Sequence, residues 1–358
     1  MTNKQRILSI TSTLGSLMAF QPTQHKPMGL RNAFDFSTER LKKAGLFVET
    51  FETNGKQTLY ASFTKKNRKP AVILNGHLDV VDAKTQDFVL KENGDRLSGR
   101  GTADMLGSVA LLIELFSELA SLKKTPDCAL MLVTDEEIGG HNGTKAARDK
   151  GYIPKFFIAC EPSDEKIIMD AKGVIWLKIE TFGKQGHAAR PWLYPNPVIK
   201  MLKNLQQVKE VVKKDYKKSE WITTHNLTSF HAGKDINQVP DKAEVMVDIR
   251  YVSGDDPKKI IHKYSQHKDW KVTPVMVEPP AHAKKKNHYI NQLQRASKKK
   301  LSFDRQPGAT DARFYSEAGV DSIVFGPIGG GYHSENEWVS QSSLLSCYNT
   351  FYNFLQNI

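Results

Sequence analysis

Three short apolar runs, Ala71 to Leu74, Cys128 to Val133 and Phe156 to Cys160, each stop at a polar or acidic cluster, and no other feature constrains the fold as much. A continuous apolar run of this length reads as a strand buried on both faces, the environment of a parallel sheet covered by helices. Sheets of that kind present their reactive side chains at the carboxyl ends of the strands. The side chains found there are His77 and Asp79 in NGHLDVV, Glu136 and Glu137 in TDEEIGG, and Glu161 in CEPS. Asp104 in GRGTADM and His333 in GGGYHSENEW lie in turns that contain glycine. The pattern predicts an α/β chain whose acidic and histidine side chains converge on one pocket.

Each member has a plainer reading when taken alone. His77 and Asp79 are two apart, so in extended backbone they point the same way, and Asp79 is expected to hold the imidazole nitrogen that faces away from a metal. An isolated HxD is more simply a polar pair at a strand end. Asp135, Glu136 and Glu137 are three adjacent carboxylates, costly at the edge of a core unless cations neutralise them. The plain alternative, a solvated acidic turn, is disfavoured by the tight Ile138-Gly139-Gly140 that follows. Asp104 precedes an apolar helix expected over Gly107 to Leu122, where a lone Asp would serve as an N-cap. His333 follows Gly329, Gly330 and Gly331, read as flexible backbone that lets an imidazole reach a metal. The constellation, and no single member, carries the inference.

In these motifs, their order and their spacing, the chain from about Ala71 to its C-terminus resembles the M20 family of co-catalytic zinc aminoacylases, deacylases and carboxypeptidases. The resemblance implies that His77, Asp104 and Glu161 hold one zinc and that Asp104, Glu137 and His333 hold the other, Asp104 bridging. It makes Asp79 the residue that orients His77 and Glu136 the general base. Two such ions polarise an amide carbonyl and raise the acidity of water, with Co2+ or Mn2+ as substitutes for Zn2+. HExxH, GxSxG and GxxxxGK are absent, which removes the main rival hydrolase and nucleotide-binding readings.

The order of elements predicts a zinc-peptidase-like catalytic domain interrupted by a ferredoxin-like α+β insert that serves as lid and dimerisation domain. The expected divisions are 1–172 and 284–358 for the catalytic parts and 173–283 for the insert. Within the insert the pattern predicts strands at Val174 to Phe182, Asn226 to His231, Ala243 to Val252 and Val272 to Val277, and helices at Asn196 to Lys218 and Pro257 to His267. Helices are further expected near Lys4 to Thr13, Ser37 to Ala44, Asn287 to Lys300, Asp311 to Ala318 and from Ser342, with a strand at Ser322 to Phe325. The family resemblance assigns His187 in GHAARP to the scissile carbonyl oxygen, arriving from the partner subunit in dimeric members. It also places Asn237, Arg250 and Gly308 near a substrate carboxylate, for which a guanidinium fork is suited. Taken alone, His187 reads as a strand-end surface residue and Arg250 as a surface charge.

The formal charge of +12 raises a different class, a nucleic-acid-binding protein. The basic runs Lys65 to Lys69, Lys284 to Lys286 and Lys298 to Lys300 are scattered and carry no interleaved aromatics, so they read as solvated faces. Residues 173–283 hold 18 Lys and Arg against 12 Asp and Glu, +6 of the total. The apolar stretches fall short of the roughly 18 residues that cross a membrane. The N-terminal MTNKQRILSI shows no signal core, and three cysteines, an odd count, read as core residues in a reducing cytoplasm. The expected substrate is an N-acyl amino acid or short peptide, with a homodimer built through the insert. Glu161, where related branches carry Asp, points to deacylases and carboxypeptidases, whereas GATD at Gly308 to Asp311 departs from the GTSD of desuccinylases. A carboxypeptidase or dipeptidase is the alternative within the fold. An inactive binding homologue conflicts with the intact Glu136 and ligand set.

Overall fold

A computed structural model of the chain describes residues 1–208, 216–217, 219–266 and 269–358. The chain divides into two compact units, one of Met1–Asp170, Ala281–Arg305 and Thr310–Ile358, the other of Ala171–Pro280 and Gln306–Ala309.

The first unit is built on a nine-stranded mixed sheet. Its centre is parallel: Val72–His77 lies between Cys128–Val133 and Phe156–Ala159, and Asp321–Val324 pairs Phe156–Ala159 on the far side. Every residue of the three apolar strands is buried, which is why they read as unbroken apolar runs. One outer flank is antiparallel, with Lys56–Ser62 on Cys128–Val133 and Phe47–Thr53 beyond it. The helix Leu106–Leu119 supplies the largest apolar surface. Twelve of its residues are buried, and it packs on Val72–His77 and on the helices Asn3–Ala19, Pro27–Lys43 and Gln341–Leu355. It stops at Leu119, short of the expected Leu122.

The two N-terminal helices are longer than the sequence pattern suggests. Asn3–Ala19 begins at a capping box of Thr2 and Gln5 and keeps Ile10, Leu14, Leu17 and Met18 on its buried side. Pro27–Lys43 starts with its proline in the first turn, where no amide hydrogen is needed. A separate four-stranded sheet of Gly329–Gly330, Trp338–Ser340, Arg96–Ser98 and Lys91–Asn93 completes this unit. Cys128, Cys160 and Cys347 are free and buried.

The second unit is a four-stranded antiparallel sheet in the order Thr224–Ala232, Lys242–Tyr251, Gly173–Phe182, Lys271–Glu278. Numbered along the chain, that order is 2-3-1-4, the ferredoxin-like arrangement. Lys242–Tyr251 alternates strictly between buried and half-buried positions. Its inward side, with Ile175, Leu177 and Ile179, packs on Met201 and Leu205 of the helix Pro197–Leu205 and on Ile260 and Tyr264 of Pro257–Ser265. The helix predicted over Asn196 to Lys218 ends at Leu205 and gives way to a turn, and residues 209–215 and 218 lie outside the described residues. Among the described residues no helix is long and apolar enough to cross a membrane.

Candidate metal centre

Parallel pairing of Val72–His77 with Cys128–Val133 puts His77 level with Val133, so the turn 134–137 opens beside the imidazole. His77 is 1% exposed. Its Nδ1 lies 2.8 Å from the main-chain oxygen of Asp79, which can only accept. Nδ1 therefore carries the proton and Nε2 is turned toward the acidic cluster.

The carboxylate of Asp79 does not play the part expected of it. It stands 3.7 Å from Nδ1 and instead accepts the backbone N–H of Glu136 at 3.2 Å and of Glu137 at 3.1 Å. The strand ends at His77, so the alternation that would keep both side chains on one side is not sustained. Asp79 holds the neighbouring acidic turn, and its main chain holds the histidine.

Asp104 is the centre of the arrangement. Its Oδ1 lies 3.2 Å from His77 Nε2 and its Oδ2 lies 3.3 Å from His333 Nε2. Glu161 Oε1 lies 3.5 Å from His77 Nε2, and Glu137 Oε2 lies 3.3 Å from His333 Nε2. The donor atoms of His77, Asp104 and Glu161 fall within 4.8 Å of one another, as do those of Asp104, Glu137 and His333. Glu136 belongs to neither group, its Oε2 4.0 Å from His77 Nε2. Asp104 does not cap the following helix, whose first turn has Met105 at the cap and no side-chain acceptor.

The electrostatics call for cations. Burial pushes the Glu136 carboxyl well above its ordinary range, with His77 opposing and Asp311, Glu161 and Asp104 adding to the rise. Burial likewise raises Glu161 and lifts Glu137 to about 7. Asp104 is also pushed up by burial, but His333 and His77 outweigh this and hold it below the usual carboxylate range. Burial acts to lower His77, yet Glu161 and Asp104 bring it well above an ordinary imidazole. Each imidazole–carboxylate contact thus needs a proton or a metal between its atoms. Glu137 Oε2 faces His333, while its Oε1 is buried without a hydrogen-bond partner, a carboxylate oxygen left with lone pairs that a cation could satisfy.

Further residues shape this centre, and of these Glu337 and Gln24 escaped the sequence reading. Glu337, 1% exposed, accepts the backbone N–H groups of Ala103 and Asp104 at 3.0 Å each and pairs with Arg100. Asp135 accepts from the amides of Asn142 and Gly143, closing the turn after Glu137, and burial beside Asp311 raises it to about 7. Gly140 has φ +65° and a Cβ there would meet Asp311 Oδ1 at 2.1 Å, so only glycine fits. Gln24 reaches Asp79 from the N-terminal segment. Glu337 was within reach of a motif search, four residues after His333 in HSENEW; Gln24 has no local signal.

The glycine run before His333 is ordered, contrary to the expectation of a flexible loop. Gly329–Gly330 is a strand paired with Trp338–Ser340, and a Cβ on Gly329 would come within 2.9 Å of Ala103 Cβ. These glycines allow close approach to the Asp104 turn. His333 itself has φ +61°, a left-handed conformation held by the turn between Gly331 and Ser334.

The other predicted residues belong to the second unit. His187 pairs with Gln238 in a two-residue ribbon, and Ala188 N–H donates to Asn237 O at 2.9 Å, so His187 and Asn237 are neighbours. His187 Nδ1 accepts the Ala189 N–H at 3.1 Å. The Arg250 guanidinium is already engaged by both oxygens of Asp248, at 2.8 and 3.0 Å. Gly308 stands in open space, where a Cβ would meet nothing within 4 Å.

Residues 73–357 match the family model of peptidase family M20/M25/M40. The succinyl-diaminopimelate desuccinylase of Buchnera aphidicola is 26% identical over 352 residues, covering 89% of this chain and 92% of that protein. The desuccinylase of Rickettsia bellii is 28% identical, covering 96% and 95%. In fold, the chain is similar to the Bacillus subtilis YXEP protein, described as a dinuclear metal binding peptidase from the M20 family, with a TM-score of 0.71 at 13% identity over 99% of this chain and 100% of that one.

Proposed function

Because the chain belongs to peptidase family M20/M25/M40, a family of metal-dependent hydrolases that act on amide bonds, we propose that it is a di-zinc deacylase cleaving N-acyl amino acids. One observation carries the reading: the two oxygens of Asp104 face two different histidines, each accompanied by its own glutamate. A donor set of imidazole nitrogens and carboxylate oxygens suits Zn2+, with Co2+ or Mn2+ able to substitute. His77, Asp104 and Glu161 would hold one ion and Asp104, Glu137 and His333 the other. Bound there, the ions would polarise the substrate carbonyl and acidify water.

Glu136 is the group left for proton transfer. Its carboxylate lies at the cluster without belonging to either ligand set, and Asp79 fixes its backbone. As water adds to the amide carbon, Glu136 takes the proton and returns it to the nitrogen as the C–N bond breaks, leaving a carboxylate and a free amine. His187 is suited to the carbonyl oxygen, since Nδ1 accepts from Ala189 and the ring proton therefore sits on Nε2, ready to donate to developing negative charge. Asn237, its neighbour, and Arg250 and Gly308 in the same unit are assigned to the substrate's carboxylate end. Arg250 would have to exchange Asp248 for that carboxylate.

The acyl-removing direction is supported by the desuccinylase relatives. A homodimer is supported by the second unit's edge strand Thr224–Ala232, which exposes Leu227 and Phe230, while Ile199 and Leu202 are exposed on the helix Pro197–Leu205. The deciding experiment is a hydrolysis panel with zinc supplied, setting N-succinyl and N-acetyl amino acids against dipeptides and longer peptides. Turnover of N-acyl amino acids above dipeptides supports the reading. Preference for free dipeptides or C-terminal residues of peptides would replace it with the carboxypeptidase or dipeptidase alternative.

A further inference from the structure

Gln24 lies outside the family-matched span, in the segment between the first two helices. That segment runs alongside the loop after His77: Thr23 forms a parallel bridge with Val80, and Val80 N–H donates to Pro22 O at 3.0 Å. The Gln24 side chain spans two loops at the metal centre. Its Nε2 lies 2.9 Å from Asp79 Oδ2 and 2.9 Å from the main-chain oxygen of Thr134. Its Oε1 accepts from Lys56 Nζ at 2.6 Å. Two acceptors on one side and an ammonium donor on the other allow only one orientation of the amide, and both of its hydrogens are used.

Asp79 is fully buried, and its carboxylate accepts from the Gln24 side-chain amide and from the backbone amides of Glu136 and Glu137. Rotation about the Cβ–Cγ bond of an aspartate is soft. Without Gln24, Asp79 Oδ2 keeps only the Glu137 amide, and turning of the carboxylate would carry the 136–137 backbone with it. We propose that Gln24, with its amide fixed by Lys56, is a positioning residue that locks the Asp79 carboxylate and through it sets Glu136 and Glu137 at the metal centre. The inference rests on the roles given to Glu136 and Glu137 above. Misplacement by a fraction of an ångström is costly because proton transfer and metal ligation both depend on tight geometry.

The test uses the full chain, zinc-loaded, with Gln24→Ala, Gln24→Glu, Lys56→Met and Asp79→Asn. At saturating zinc, Gln24→Ala should keep two ions and a KM within about 2-fold of wild type, while kcat falls about 10-fold, a pattern expected when positioning of transferred groups is lost. Gln24→Glu puts an acceptor against the Asp79 carboxylate at nearly unchanged volume and should lose more. Because both residues act through one contact, Gln24→Ala placed on Asp79→Asn should add less than about 2-fold. Wild-type kcat in Gln24→Ala, or fully additive losses, would overturn the proposal. Should the Gln24 variants fold poorly, Lys56→Met removes only the outer anchor and should show a smaller kcat loss at unchanged melting temperature; no loss would count against the clamp. Titration with zinc alone gives a readout free of the substrate question, since Gln24→Ala should weaken one of the two ions several-fold through Glu137. If the wild-type protein cleaves no amide in the panel, the functional reading fails by itself, and unchanged affinity for both ions would separately overturn the role of Gln24.

Discussion

Replacing Glu337 by alanine tests how the bridging aspartate is held. Glu337 is 1% exposed and Arg100 5%, and the glutamate serves three partners at once: the Arg100 guanidinium and the amides of Ala103 and Asp104. Its removal leaves a buried guanidinium without its carboxylate, worth about 3–5 kcal/mol. The two amides lose their acceptor at a cost of about 1–3 kcal/mol each when water cannot replace it. These terms overlap, because the cavity left by the side chain admits some water, so a net loss of about 4–6 kcal/mol is expected. Against a total stability of roughly 5–15 kcal/mol, this is a large fraction. At roughly 2–4 °C per kcal/mol for a domain of this size, it corresponds to a drop of about 8–24 °C. The assay is thermal and denaturant unfolding of metal-free protein, which removes the contribution of bound zinc. Glu337→Gln keeps an oxygen for both amides but loses the charge and the acceptor that face Arg100, so it should fall between wild type and alanine. Arg100→Met on the Glu337→Ala background removes the stranded charge and should recover part of the loss. A Glu337→Ala protein within about 1 kcal/mol of wild type, or an Arg100→Met that only makes matters worse, would refute the reasoning.

Three further outcomes follow from the same geometry. Glu136→Gln keeps shape but accepts no proton, so turnover should fall by about 10²–10⁴-fold with zinc content unchanged, as read by steady-state kinetics and metal analysis; near wild-type turnover would remove the general-base role. In metal-free protein, burial raises Glu137 and Asp135 to about 7, so the folded state holds their protons more tightly than the unfolded one. The stability this confers is complete below about pH 4, the ordinary carboxylate range, and is lost as pH rises through 7; the raised His77 and His333 add loss in the same direction above about 6.5. The melting temperature of metal-free protein should therefore fall between pH 5 and pH 8, with zinc restoring more at pH 8, and a rise over that interval would contradict the account. Mixing inactive Glu136→Gln with inactive His187→Ala should restore part of the activity if His187 is supplied across a dimer, whereas no recovery under demonstrated subunit exchange would place His187 in its own subunit or outside the reaction.

What was legible in the chain follows from the range of the forces involved. The buried strands could be read because burial on both faces demands unbroken apolar runs, and the side chains that follow them are placed by strand direction alone; this is why His77, Glu137 and Glu161 could be expected as neighbours. The orientation of Asp79 could not be read, because it depends on where Val72–His77 stops and on amides in the turn that follows the neighbouring strand Cys128–Val133. Glycine was read as freedom, whereas Gly329 and Gly330 are there so that one backbone can approach another. Glu337 acts across 233 residues of sequence and only its place four residues after His333 marks it, while Gln24 acts across 55 residues with no local pattern to encode its hydrogen bond to a distant turn. In the second unit, the alternation along Lys242–Tyr251 was plain, but the helix from Pro197 ends at Leu205, where the apolar period alone suggested a longer one.

The central claim is that one aspartate bridges two metal ions, each completed by its own histidine and glutamate. Zinc bound per chain, measured on purified protein equilibrated with limiting free zinc, tests it most directly when wild type is set beside His77→Ala and His333→Ala. The account predicts two ions in wild type and one in each variant, lost from different sites because His77 and His333 face different oxygens of Asp104. Two ions retained in both variants, or no more than one in folded wild type, would contradict it.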